Sequence, residues 1–467
     1  MLPDNVLLEI FDFYRWVPLL GLIPPPYIPW KWHKLAHVSR RWRHIILASP
    51  RRLDLRVSCT PSTPTRNLLN IWPSFPISIT AYSCLLLWSA EAEENIIAAL
   101  GQRDRISEIT LRGLAGYMME RFAALMEEPL PALTSLNLSV IDGMKKSLPE
   151  AFLGGSAPGL RSIALEGISF PALPNLVLSA SNLQSLSLRY IPHTGYISPH
   201  AMVTFLPALP NLKSLTIGSR FSQDRPFHIT PPPLTRAILP ALTSFVFDGV
   251  SGYLEDFVAR VDTPLLNSLR VIFSGPDFDI PQLLKFIDRT ERLKKLNQAE
   301  AKLFPRGAWT VLRSSTGLSH GPKLVVAPMP WYQSWHVPCI LPLLSQVERL
   351  DVVEGHEDRS KWQDQDHTRW LEFLNSFVSV KSLYVSEMLG PFVAQVLQEL
   401  TGERIVEVLP ALHDLFLEGL QPSGFVQEAL KPFLAARQGS NHPVVIQRWD
   451  RIPEVKTALD RLLNGPC

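Results

Sequence analysis

A short phrase of the form LxxLxL returns along most of the chain and sharply limits the folds open to it. It runs at Leu133–Leu138, Leu160–Leu165, Leu183–Leu188, Leu212–Ile217, Leu242–Phe247 and Leu266–Val271. It returns at Val347–Val352, Val380–Val385 and Leu412–Leu417, with a weaker copy at Ile106–Leu111. Within each run the copies lie 23–33 residues apart. The closing LxL alternates with period two, so its apolar residues face one side of a short strand. The leading apolar residue, three positions earlier, turns the chain into the same core. One such strand cannot bury its face alone, so neighbouring copies must stack as parallel strands.

The stretches between copies complete the unit. Residues 117–126, 281–290, 368–377, 391–400 and 424–435 carry apolar side chains near i, i+3 and i+4, which predicts helices. Pro131, Pro158, Pro210, Pro240, Pro264 and Pro410 sit just before the phrase, where a loop enters the strand and no ladder hydrogen bond is lost. Units of this length resemble leucine-rich repeats. The expected fold class is α/β, a curved solenoid with parallel strands on the inner face and helices outside, covering residues 57–467.

Its ends and one interior stretch depart from the pattern. Leu53–Val57 and Ile77–Ile79 read as irregular first copies, as a solenoid cap requires. Val444–Ile446 followed by 452–463 reads as a strand and a closing amphipathic helix, a cap at about 440–467. Regularity fails over 297–341. A weak copy begins at Leu293–Leu296, then come Trp309–Leu312, Leu324–Val326 and the aromatic, proline-flanked run 328–338. The interruption is either a degenerate repeat with buried aromatics or an exposed docking surface.

At 467 residues the chain exceeds the size of a single compact core. With 46% hydrophobic and 19% charged residues it is a folded protein. A formal net charge of +2 gives no reason to expect a polyanionic ligand, and neither nucleic acid nor a membrane is expected as a partner. The cysteines Cys59, Cys84, Cys339 and Cys467 are scattered, with neither zinc-ligand spacing nor a disulfide framework, and read as thiols in a reducing compartment. No signal peptide is legible, and the early apolar stretch 17–30 carries Pro18, Pro24, Pro25, Pro26 and Pro29, so no membrane helix forms there. A cytoplasmic or nuclear protein is expected.

The N-terminal residues carry a different pattern. Leu2–Phe11 (LPDNVLLEIF) and Trp32–Arg43 (WHKLAHVSRRWR) resemble the two halves of an F-box, a Leu-Pro start with an "LLxIF" helix and a second helix ending in "SRRW". Residues 1–56 would form this module, with a Pro-rich insertion at 17–30 longer than the family's usual connection. An F-box followed by degenerate leucine-rich repeats is similar to the large fungal F-box families. The resemblance implies a Skp-type adaptor as partner and, through it, a cullin. It implies that Leu2, Pro3, Val6, Leu7, Ile10, Leu35, Val38, Ser39 and Trp42 meet the adaptor, although some must instead form the core of the helical pair. The implied function is substrate recognition in a Skp–cullin–F-box ubiquitin ligase. A leucine-rich-repeat scaffold or adaptor-binding protein outside a ligase is the alternative. Asn137, Ser187, Arg189, Thr216, Arg270, Asp351 and Tyr384 occupy outward strand positions in the phrase and are the candidate contacts to an unknown protein substrate.

Other motifs carry little chemistry. Gly317–Gly321 spells GxSxG around Ser319, but Pro322 leads straight into an extended run where a nucleophile elbow needs a helix, so no catalytic residue is assigned. His33 and His37 lack a third ligand, and the acidic stretch 354–366 resembles no calcium loop, so neither metal nor cofactor is expected. Lys31, Lys34, Arg40, Arg41, Arg43, Arg51, Arg52 and Arg56 read as a solvated basic face that complements an acidic adaptor surface.

Overall fold

The computed structural model describes residues 2–15, 35, 37–48, 55–83, 88–141, 146–219, 235–274, 280–304, 307–314, 321–328, 341–355, 367–400, 404–420 and 424–450. The insertion at 17–30, most of the aromatic run 328–338, Ser319, His33 and the expected C-terminal helix lie outside them. The repeats fall into two compact units that divide between Tyr196 and Ile197.

In the first unit six strands follow one another in sequence order: β1 (Leu55–Ser58), β2 (Ile77–Tyr82), β3 (Ile106–Leu114), β4 (Ser135–Val140), β5 (Ser162–Glu166) and β6 (Ser185–Ile191). Each pairs in parallel with the next. The phrase explains the register. Ile109, Leu136, Ile163 and Leu186 stand in one column and Leu111, Leu138, Leu165 and Leu188 in another, all of them buried. Helices such as Ala90–Leu100 and Gly116–Leu125 supply Ile96, Met118 and Phe122 to the same core. Gly113, in β3, has φ +72°, and a Cβ there would meet the Ser83 carbonyl at 1.9 Å, so only glycine fits where the strand bulges.

The second unit begins with three parallel strands, β7 (Ser214–Ser219), β8 (Ser244–Gly249) and β9 (Ser268–Phe273). It closes with four more: β13 (Arg349–Glu354), β14 (Ser382–Val385), β15 (Asp414–Glu418) and β16 (Val445–Trp449). Between them β10 (Gln298–Phe304), β11 (Gly307–Arg313) and β12 (Lys323–Pro328) form an antiparallel meander. It is inserted in reverse, so the order runs β9-β12-β11-β10-β13. Only two residues separate β10 from β11, enough for a hairpin, whereas a parallel return needs a dozen or more. With β11 reversed, β12 and β10 both run parallel to their repeat neighbours, and the ladder continues unbroken on either side. The irregular stretch thus adds three strands to the sheet. Trp309 in it is 9% exposed, and most of the aromatic run 328–338 lies outside the described residues.

The helices fall where the apolar spacing predicts them: Pro281–Arg289, His367–Asn375, Gly390–Gln398 and Phe425–Gly439. Side chains tie successive helices together. Glu255, on helix Ser251–Val258, accepts hydrogen bonds from the Gln282 and Leu283 N–H groups at 2.7 and 2.8 Å, capping the next helix with a carboxylate. The fully buried Arg437 donates to the Leu409 and Val408 carbonyls at 2.6 and 3.2 Å, just past the short helix Arg404–Glu407. Among the described residues no helix is long and apolar enough to cross a membrane.

Candidate functional site

Two surfaces gather the residues singled out by the sequence. The first is the N-terminal helical pair, α1 (Asp4–Arg15) and α2 (Arg40–Leu47). Leu7, Phe11, Ile45 and Ile46 are buried, and the Phe11 and Trp42 rings meet at 4.9 Å. Arg41 donates through Nε to Asp4 at 3.1 Å and through a terminal nitrogen to the Leu2 carbonyl at 2.6 Å, pinning the start of α1 to α2. Ser39 is the N-cap of α2, its hydroxyl accepting from the Trp42 N–H at 3.1 Å.

These contacts sort the nine adaptor candidates. Leu7 is core, Trp42 is half-buried against Phe11, and the Ser39 hydroxyl is committed to the cap. Leu35 is half-buried. Leu2, Val6 and Ile10 are 50%, 37% and 44% exposed, and Val38 is 60% exposed, with Pro3 also exposed. Val6 and Ile10 are spaced four apart on one face of α1, and Leu2 lies two residues before the helix starts. Exposed aliphatic side chains on so small a helical pair make a surface that gains by being covered.

The second surface is the outward side of the strands, opposite the core. All seven substrate candidates lie there: Asn137, Ser187, Thr216, Arg270, Asp351 and Tyr384 are half-buried and Arg189 is exposed. The structure does not gather them into one site, although Asp351 and Tyr384 are cross-strand neighbours. In the first unit Asn137 and Ser187 share one ladder column with Ser58, Thr80, Thr110 and Ala164. The flanking column holds Ser78, Glu108, Ser135, Ser162 and Ser185. Hydroxyls there bond to near neighbours, as in Ser58–Thr80 at 3.1 Å and Ser78–Glu108 at 3.2 Å.

In the second unit the outward side of the strands carries charged and aromatic residues as well. Arg270 lies 5.7 Å from the Trp309 ring centroid, and Arg313 pairs with Glu300 at 2.9 Å. The Arg349 guanidinium lies 3.9 Å from the Tyr384 ring centroid and is held by Asp351 at 2.8 Å. Burial works against the Arg349 charge, but the hydrogen bond and charge of Asp351 outweigh it, and the group titrates above its ordinary range. Tyr384 stacks on Phe416 at 4.2 Å with the rings 2° from parallel, and Trp449 meets the Tyr384 ring at 5.3 Å and 75°. Arg349, Phe416 and Trp449 were not among the sequence candidates. The signal for Phe416 is its place in the repeated phrase, the same position as Tyr384 one copy earlier. Trp449 is reached by continuing the alternation outward from Ile446.

Remaining motifs gather no site. Cys59 is buried, and burial pushes its thiol up to about 12, so it stays protonated and unreactive. Among the described residues no group of three or more His, Cys, Asp or Glu side chains could hold a metal ion, and His37 is simply exposed. A scan against protein-family models finds no match, and neither does a search of curated proteins.

Proposed function

We propose that the protein is the substrate-recognition subunit of a Skp–cullin–F-box ubiquitin ligase. The observation that carries this reading is the set of exposed aliphatic side chains Leu2, Val6 and Ile10, on α1 and just before it, with Val38 beside the α2 cap, on a helical pair ahead of stacked repeats. The sequence there resembles an F-box, and Leu2, Pro3, Val6, Ile10 and Val38, among the residues the resemblance assigns to the adaptor, stay exposed. In this reading α1 and α2 bind the Skp-type adaptor, and through it a cullin. The outward strand faces hold a protein substrate, bringing its lysines to high effective concentration near the conjugating enzyme. The chain itself performs no covalent step, and its place is the cytoplasm or nucleus.

Affinity purification of the full chain from its own cells tests the assignment. The expected result is a Skp-type adaptor together with a cullin, both lost from a Leu2→Ala/Val6→Ala/Ile10→Ala variant. Adaptor without cullin would instead support a scaffold acting outside a ligase. Absence of the adaptor, or its retention by the triple variant, would overturn the F-box reading.

A further inference from the structure

We propose that the outward face of β14–β16 binds an arginine-bearing, extended segment of the protein substrate. This deepens the reading above and rests on it. Three aromatic rings from three strands meet here: Tyr384 on β14, Phe416 on β15 and Trp449 on β16. All three are half-buried, so ring surface remains in contact with solvent. Aromatic side chains presented on a rigid ladder are what recognition surfaces use as anchors, because little rotamer freedom is lost on binding.

The charge around the rings selects the partner. Asp414 lies on β15 two residues before Phe416 and Glu418 two residues after it, on the same side of the strand. Glu387 follows β14 and is exposed. Asp414 accepts from the Gln447 side-chain amide at 3.2 Å and Glu418 from the Glu387 backbone N–H at 3.2 Å, but none of the three carboxylates has a cation partner among the described residues. The cations close by are already taken: Arg349 by Asp351, Arg448 by Asp450 and Lys381 by Glu348. An acidic segment would meet three unopposed carboxylates, whereas a cationic one would neutralise them.

The molecule also supplies the packing pattern. Arg349 lies over Tyr384, whose ring continues the stack onto Phe416, but across from Phe416 on β16 the ladder partner is Gln447. A guanidinium can therefore repeat at Phe416 and Trp449 what Arg349 does at Tyr384, with Glu418 and Glu387 as hydrogen-bond acceptors. Its planar fork suits both the ring faces and the carboxylates better than an ammonium does.

The test is fluorescence anisotropy of the full chain with a labelled Gly-Arg-Gly-Arg-Gly-Arg-Gly peptide and its Lys and Glu counterparts. The Arg peptide should bind most tightly, the Lys peptide more weakly and the Glu peptide not at all. Phe416→Ala or Trp449→Ala should each weaken binding about tenfold. The double variant Glu387→Gln/Glu418→Gln, which changes charge without touching the ring stack, should weaken it and flatten its salt dependence, with an unchanged melting temperature. Failure of the Arg peptide to bind, equal binding of the Glu peptide, or full binding by the double Gln variant would overturn the proposal. Adaptor capture is measured on the same preparations. Captured adaptor with no Arg-peptide binding refutes this site alone, and lost capture refutes the ligase reading.

Discussion

Over β1–β6 the outward column reads Ser58, Thr80, Thr110, Asn137, Ala164 and Ser187, whereas over β13–β16 it reads Asp351, Tyr384, Phe416 and Gln447. The inner columns of β1–β6 and of β13–β15 are the same kind of surface, mostly Leu, Ile and Val buried against helices. The difference teaches that the two faces of a repeat strand answer to different demands. The inner face must fill a layer of fixed thickness, so its residue types hardly vary. The outer face is free of that constraint, and in the first unit its column from Ser58 to Ser187 carries small side chains, whose hydroxyls bond to near neighbours at Ser58 and Thr80. In the second it carries rings and ion pairs with the area and charge to hold another chain.

This contrast can be broken or sharpened by substitution. The largest effects should be on the shared inner face and equal in the two units. Leu136→Ala and Leu383→Ala, at 1% and 0% exposure, should each lower unfolding stability by about 2–5 kcal/mol in urea titrations. A markedly smaller loss in either would show that one core is looser than its residues suggest. Next should come Tyr384→Ala, which removes the Arg349 contact and both ring contacts and should cost about 1–3 kcal/mol, with Tyr384→Phe close to neutral.

One pH effect lies in the first unit. Cys59 is held up to about 12 in the folded protein against an ordinary 9.0, so the unfolded chain gives up the proton first. Its contribution to stability is therefore complete below pH 9 and declines as pH rises from 9 toward 12. Denaturation midpoints across that range should fall less steeply in Cys59→Ala than in the parent. The smallest effect should be Ser187→Ala on the outer face of the first unit, within about 0.5 kcal/mol. A loss as large as that of Tyr384→Ala would erase the distinction between the two faces.

The phrase made the inner face legible because burial and period two leave few alternatives. Leu133–Leu138 reads as a strand on its own, and so does every regular copy. The reversed meander was not legible at that level. Trp309–Leu312 and Leu324–Val326 announce strands, but which neighbour each pairs with depends on non-local ladder closure and on the two-residue link before Gly307. The outward candidates were found individually, since alternation places Asp351 and Tyr384 outside. Their grouping was not, because Trp449 reaches Tyr384 from two strands away. At the N-terminus the pattern named nine residues, and tertiary packing divided them. Leu7 goes inward beside Phe11 while Leu2, Val6 and Ile10 stay out, a choice fixed by where α2 lies against α1.

The central proposal is that the exposed aliphatic side chains Leu2, Val6 and Ile10, on α1 and just before it, dock a Skp-type adaptor. Isothermal titration of the purified chain with recombinant adaptor tests it most directly. The account predicts a one-to-one complex in which Leu2→Ala/Val6→Ala/Ile10→Ala weakens binding by about 100-fold or more, the loss expected for three apolar contacts at an interface centre. Binding that is absent in the parent chain, or equally tight in the triple variant, would contradict it.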